Sequence, residues 1–250
     1  MKKKIVIIVT LIITVVTLYI IIKNITRSTQ MQLSSTNNKL QTTINERGLV
    51  LVADDLVANS TNTQDMANNT AYLQSLVDSV SEKGGGTVSI PKGTYYFSVG
   101  GSTVSGGEFY IIKCKNNVRI EGSGNNETTG TILKPMGVTK YGLDMFFFND
   151  YAESKFTNPN YLINADFYNF VIDSEGAQGE NYNSSGKGFM INLLKDCNWE
   201  NVTVKNTDGT GFGMDCPINC TINSCIAIGC GKKATTQNVG ASGFGIRNRL

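Results

Sequence analysis

A parallel β-helix is the fold this sequence predicts, and three observations predict it. First, the second half of the chain repeats itself: Gly186-Lys187-Gly188-Phe189 aligns with Gly209-Thr210-Gly211-Phe212 at a period of 23 residues. In that register Ile191 falls on Met214, Cys197 on Cys220, Trp199 on Ile222, Val202 on Cys225 and Val204 on Ala227. A preceding unit, offset by 32, sets Ala165, Phe167, Asn169, Phe170 and Ile172 on Cys197, Trp199, Asn201, Val202 and Val204. A further unit opens at Gly240-Ala-Ser-Gly-Phe-Gly-Ile246. Repeats of this length mark a solenoid, in which each turn buries its apolar face only against its neighbours. Second, runs such as Asn201-Val-Thr-Val204 and Asn117-Val-Arg-Ile120 alternate with period two, as strands do. Third, the joints between them are rich in Gly, Asn and Asp, the residues of tight corners.

The elements follow in order. Ile5 to Ile22 are 18 uncharged, mostly apolar residues behind Lys2-Lys3-Lys4. That length crosses a bilayer as a helix. It exceeds a secretory h-region and lacks a small-residue cleavage site, so the reading is an uncleaved signal anchor. The lysines hold its start in the cytoplasm, which expects a single-pass protein of the cell membrane with the remainder extracellular. Lys23 and Arg27 weaken that bias without reversing it. Residues 1–23 are thus the anchor, 24–64 a polar stalk, and 65–250 the β-helix. Within the stalk, the apolar stretch Gly48–Ala53 is expected to dock as a first strand.

A helix comes next. Asn68-Asn69-Thr70 offers capping side chains, and Ala71, Leu73, Leu76, Val77 and Val80 mark one helical face. Gly84-Gly-Gly86 ends it. Then come Thr87-Val-Ser-Ile90, a Pro-Lys-Gly turn and Thr94-Tyr-Tyr-Phe97.

This succession resembles the entry unit of the pectate-lyase-like superfamily, in particular its rhamnogalacturonase/epimerase-type pectate lyase domain. There a capping helix runs into a Gly-Gly-Gly-Thr-Val strand and a Pro-x-Gly-Thr-Tyr strand. With the later repeats the resemblance covers about Asn68 to Ile246. It implies an all-β chain whose parallel β-helix is right-handed, plugged at its N-terminal end by the helix. It also implies a polysaccharide as substrate or partner. The Asp-Phe-Gly-Ala type strand usually found before the helix is missing, and Leu49–Ala53 stands in its place.

Composition excludes several functions. The chain has 22 basic and 20 acidic side chains and no histidine. Near-balanced charge with no basic stripe argues against nucleic acid. Without histidine there is no His general base, no Ser-His-Asp triad and no His-ligated zinc, so acid–base chemistry falls to Asp, Glu, Lys, Tyr or Cys. Six cysteines in an exported chain suggest disulfides. The repeat instead sets Cys197, Cys220 and Cys225 at interior positions, as small buried hydrophobes. Cys216 and Cys230 fall at rung ends. No metal site is read from cysteine spacing.

Carboxylates are the chemical candidates. Asn206-Thr-Asp-Gly209 resembles the first catalytic motif of the polygalacturonase-type glycoside hydrolases, which implies a catalytic role for Asp208, with Asp215 the nearest further carboxylate. The adjacent Asp pair of that family is absent, and Phe244 stands where its Gly-His-Gly motif has the histidine. A hydrolase needs two carboxyl groups, about 6.5–9.5 Å apart if inverting. A lyase would instead use Ca²⁺ on Asp173, Glu175, Asp208 or Asp215, with Lys187, Lys205 or Arg247 as base or substrate clamp. The catalytic candidates are therefore Asp208, Asp215 and Asp173, and the substrate-binding candidates Lys187, Lys205 and Arg247.

Arg247-Asn-Arg-Leu250 follows the opening of a new repeat and brings no polar cap, so the reading is a β-helix cut short. Two functions remain open: a membrane-anchored protein that hydrolyses or β-eliminates a polysaccharide, and a surface protein that binds or displays glycans without turnover. The sequence leaves the sugar and the oligomeric state open.

Overall fold

The computed structural model describes residues 43–45, 48–103, 108–149, 159–181, 186–233 and 242–248. The expected membrane span at 5–22 and most of the expected stalk lie outside these residues. Among the described residues no helix is long and apolar enough to cross a membrane.

The chain enters through β1 (Thr43–Asn45) and β2 (Gly48–Val52), then α1 (Thr63–Glu82). A first coil runs β3 (Gly86–Ser89), β4 (Gly93–Phe97), β5 (Gly101–Ser102) and β6 (Phe109–Lys113). The second holds β7 (Val118–Glu121), β8 (Thr131–Pro135), β9 (Gly137–Thr139), β10 (Leu143–Phe148) and β11 (Leu162–Ile163). The third holds β12 (Asp166–Asp173), β13 (Ala177–Gly179) and β14 (Phe189–Lys195), and the fourth β15 (Asn198–Lys205) and β16 (Phe212–Ile218). The last contains β17 (Thr221–Asn223), β18 (Ile226–Ile228) and β19 (Phe244–Arg247). Equivalent strands of successive coils pair in parallel. Sheet A follows β2-β3-β7-β12-β15-β17, with β4, β8 and β18 along its second limb, and sheet B follows β6-β10-β14-β16-β19.

The repeat holds residue by residue. Phe189 pairs with Phe212 and Ile191 with Met214, Trp199 with Ile222 and Val204 with Ala227. The unit offset by 32 pairs Phe167 with Trp199 and Phe170 with Val202. Phe212 in turn meets Phe244. Inside the solenoid these positions stack. Phe189 lies 5.3 Å from Phe146 and 5.3 Å from Phe212, its ring nearly parallel to both, and Phe167 stacks on Trp199 at 5.3 Å. Offset aromatic stacking adds to the area these rings bury.

The corners are built from residues that tolerate the left-handed backbone. Asn169 and Asn201 bend sheet A at φ 61 and 55, and the Asn201 amide donates to Asn169 Oδ1 at 2.8 Å. Asn117 and Asn164 do the same at the entry to sheet A, bonded at 3.1 Å.

Helix α1 starts earlier than the sequence suggests. Asn62, not the Asn68–Thr70 cluster, caps it by accepting from the N–H groups of Gln64 and Asp65. Asn69 and Thr70 are buried within the helix. Their side chains bond Val57, Tyr96 and Ser98, tying the helix to the first coil. Leu73, Leu76, Val77 and Val80 form the buried face as expected, whereas Ala71 is exposed. At the other end Gly84 N–H bonds Ser81 O and Gly85 N–H bonds Val80 O, a Schellman motif. A side chain at Gly86 would strike Leu49 O at 2.2 Å, so the glycine run also lets β2 and β3 approach.

Two features refine the sequence reading further. Strand β2 pairs along β3, so the β-helix takes in part of the segment assigned to the stalk, because Leu51 fills the first core layer. No disulfide joins any of the six cysteines, all of which lie among the described residues. Cys197 is fully buried, while Cys220 and Cys225 are half-buried because their coil is the last described. That coil shows Ile226, Ile228, Phe244 and Ile246 to solvent.

Candidate functional site

The expected site residues fall into three separate places. Asp208 sits at the corner between β15 and β16 and is 3% exposed. Its Oδ2 accepts from Gly179 N–H at 2.8 Å and faces Lys233 Nζ at 3.5 Å. Lys233 also donates to Gly179 O. Asp208 is thus engaged in fastening the end of β13 to the last coil.

Asp173 ends β12 and is also buried. It meets Lys134 Nζ at 3.0 Å and Lys205 Nζ at 3.6 Å and accepts from the Asn206 amide at 2.9 Å. Burial pushes its carboxyl up, but Asn206 and the two lysines outweigh that and hold it below the usual range. Lys205 binds Glu127 at 2.9 Å as well. The cluster is charge-matched within itself.

The third place is on sheet B, and there the remaining candidates meet. Asp215 on β16 lies opposite Asn192 on β14 and Arg247 on β19, with Arg247 Nε 3.3 Å from its Oδ1. Lys187, just before β14, stands opposite Asp144 of β10: Met145 N–H donates to Lys187 O at 3.0 Å. Lys187 N–H donates to Asp144 Oδ1 at 2.7 Å. The lysine side chain then runs along the sheet over Gly213, where a Cβ would meet its Cδ at 2.9 Å. It ends 3.0 Å from Met190 Sδ. Tyr110, opposite Asp144, stacks on Phe147 at 4.8 Å. Asn149 donates to Glu108 at 3.2 Å beside them.

Electrostatics set this place apart. Asp144 is fully buried, and among the described residues its Oδ2 has no hydrogen-bond partner. Burial raises its pKa to about 7, against the opposing charge and N–H of Lys187. Burial also lowers the Lys187 pKa, a shift that Asp144, Asp215 and Glu108 only partly offset. Buried titratable groups displaced in this way mark a candidate functional site.

Asp144 and Glu108 were missed in the sequence because their coils lie before the recognised repeat. The signal available was Asp144 at the head of an apolar run, Leu143–Phe148, where a carboxylate is costly to bury.

The four carboxylates considered for calcium are not gathered. Asp173, Asp208 and Asp215 each face a cation of their own. Among the described residues no three of His, Cys, Asp and Glu are placed to hold a metal ion. The donor set does not fit calcium. A groove of about 650 Å³ lies elsewhere, between the glycine run Gly84–Gly86 and Arg119 on sheet A, and none of the six expected site residues lines it.

Fold and site together define a right-handed parallel β-helix with a buried carboxyl, Asp144, beside a buried lysine, Lys187, on sheet B. No protein-family model matches the sequence, and no curated protein matches it. Among solved structures, a tailspike protein of E. coli bacteriophage HK620, in complex with a pentasaccharide, superposes at TM-score 0.50 with 20% identity. That match covers 68% of this chain and 28% of the tailspike, and it shows the fold alone. The mannuronan C-5 epimerase AlgE6 A-module of Azotobacter vinelandii aligns at TM-score 0.49 and 19% identity, over 70% of this chain and 42% of that one. The chain therefore spans less than half the length of either protein.

Proposed function

We propose that this chain is a polysaccharide-active β-helix whose working face is sheet B around Asp144, Lys187, Asp215 and Arg247. The observation that carries the reading is the buried Lys187, its N–H bonded at 2.7 Å to the buried Asp144, on the face that carries Asp215 and Arg247. A structural relative in complex with a pentasaccharide adds support.

Of the two cleavage chemistries, proton abstraction fits better than hydrolysis. Asp144 and Asp215 stand five register positions apart, about 16 Å along the strands at 3.3 Å per residue. An inverting pair needs about 6.5–9.5 Å. Asp208 is engaged elsewhere. A lysine takes the proton beside a uronate carboxylate only in its neutral form, which burial favours. In this reading Lys187 is the base, Asp144 fixes its place through the backbone N–H, and Arg247, aimed by Asp215, meets the substrate carboxylate. Lys187 is only 4% exposed, an observation that favours the second reading, glycan binding without turnover.

The test incubates the full chain with polyuronates and with neutral polysaccharides, following unsaturated-uronate absorbance, reducing ends and retention in affinity gels. Turnover that disappears in Lys187→Met supports the first reading. Retention without turnover, weakened in Asp215→Asn, supports the second. No retention on any glycan ends both.

We further propose that residues 5–22 anchor the protein in the cell membrane, with residues 24–64 linking the anchor to an extracellular β-helix. Lys2-Lys3-Lys4 ahead of the apolar run supports this orientation. Protease shaving of intact cells should remove the β-helix, and recovery of the full chain unshaved would overturn the orientation.

A further inference from the structure

Cys197 and Cys220 form a matched pair. Asn198 pairs with Thr221, and Thr221 N–H donates to Cys197 O at 3.1 Å. That register sets Cys220 beside Cys197 on the adjacent parallel strand. Such neighbours stand about 4.7–4.9 Å apart, within the roughly 4.4–6.8 Å Cα separation that a disulfide spans. Neither cysteine takes part in a disulfide.

Their surroundings differ in the way an attacking and a resolving thiol differ. Cys220 is half-buried in the last described coil. Its Sγ lies 3.3 Å from Ile218 O. The neighbouring Cys197 thiol pulls the Cys220 thiol down to about 7, against burial and the charge of Asp196. Cys197 is fully buried, with Sγ 3.3 Å from Lys195 O and 3.5 Å from Leu162 O. The neighbouring Cys220 thiol and burial push its thiol up. The thiolate is the nucleophile in exchange, so the accessible member is also the reactive one.

We propose that Cys197 and Cys220 are a dithiol–disulfide pair, a modification site that a small organic disulfide such as glutathione disulfide oxidises. The Cys220 thiolate attacks one sulfur of the oxidant, forming a mixed disulfide and releasing one thiolate. Cys197 then gives up its proton and attacks the Cys220 sulfur, forming the internal bond and releasing the second thiolate. Two protein thiols are oxidised and one small disulfide is reduced to two thiols. The bond staples the last described coil to the one beneath it, five residues after Asp215. It does not depend on what sheet B binds.

The test treats the reduced full chain with glutathione disulfide and maps cysteines by non-reducing peptide mass spectrometry. The expected result is an intact mass lower by two hydrogens and one dominant linked peptide, Cys197 to Cys220. Cys197→Ala, which places there the residue already found at Ala165 one coil earlier, should accumulate glutathione on Cys220. Cys220→Ala, altered only in the half-exposed coil, should form neither the adduct at that position nor the link. Absence of a link in the unaltered chain, or a link from Cys220 to Cys225 or Cys230 instead, would overturn the proposal.

Discussion

The backbone N–H of Lys187 donates to Asp144 Oδ1 at 2.7 Å, while the ammonium of the same residue lies at Met190 Sδ, 3.0 Å away. The lysine thus serves Asp144 through its main chain and leaves the carboxyl's other oxygen, among the described residues, without a hydrogen-bond partner. A buried carboxyl so placed keeps its proton far above the ordinary carboxylate range.

That arrangement makes stability depend on pH. The folded pKa of Asp144 is raised to about 7. Its contribution is therefore complete below the unfolded value, about 4, and is lost as pH rises through 7. The ceiling is on the order of 4 kcal/mol, about 1.4 kcal/mol per unit. Urea titrations at several pH values should show stability falling across this window, and Asp144→Asn should flatten the slope whatever its absolute offset.

Asp208 and Asp215 should behave in opposite ways. Removing the Asp208 carboxylate orphans the Gly179 N–H, so Asp208→Ala should cost about 1–3 kcal/mol and leave glycan retention unchanged. The Asp215–Arg247 pair is half open to solvent on the arginine side and is worth about 0–1 kcal/mol. Asp215→Asn should leave stability nearly unchanged and weaken retention. Parallel denaturation and affinity-gel measurements would separate the two.

Asp173 holds two lysines at a buried corner. Breaking a buried pair by removing one partner costs about 3–5 kcal/mol, so Asp173→Ala should lower the unfolding midpoint sharply. Its depressed folded pKa gives the opposite pH sense to Asp144. The stabilisation is present above the unfolded carboxylate value of about 4 and is lost as pH falls through the lower folded value. Acid titration of the variant should show a correspondingly weaker loss.

Gly213 tests the course of the Lys187 side chain. A Cβ there would lie 2.9 Å from Lys187 Cδ and 3.0 Å from Phe189 O. Gly213→Ala should cost about 1–3 kcal/mol by overpacking and swing the lysine off its path. Glycan turnover or retention that depends on Lys187 should then fall about tenfold, equivalent to about 1.4 kcal/mol.

Much of this was legible in the sequence. A solenoid stacks equivalent residues, so aligning Phe189 with Phe212 and Trp199 with Ile222 already states which side chains touch. Apolar periodicity likewise gave the inner face of α1 from Leu73 to Val80. Its start was misread because Asn69 and Thr70 are good capping residues that here bond sideways to the first coil. Propensity records what a side chain does for its own backbone, not for a neighbour 27 residues away.

The charged residues were visible one by one, but neither the gathering of Lys187, Asp215 and Arg247 on sheet B nor their partners were. By itself the sequence determined the repeat, the register of the later coils and the absence of imidazole chemistry, because all three depend on residue type and spacing along one chain. Only the tertiary structure decided that Asp208 is taken by Lys233 and Gly179, that Asp173 is taken by two lysines, and that Asp144 faces Lys187. Those pairings join coils separated by loops of unequal length, and a through-space Coulomb or hydrogen-bond partner has no fixed offset that a linear pattern could carry.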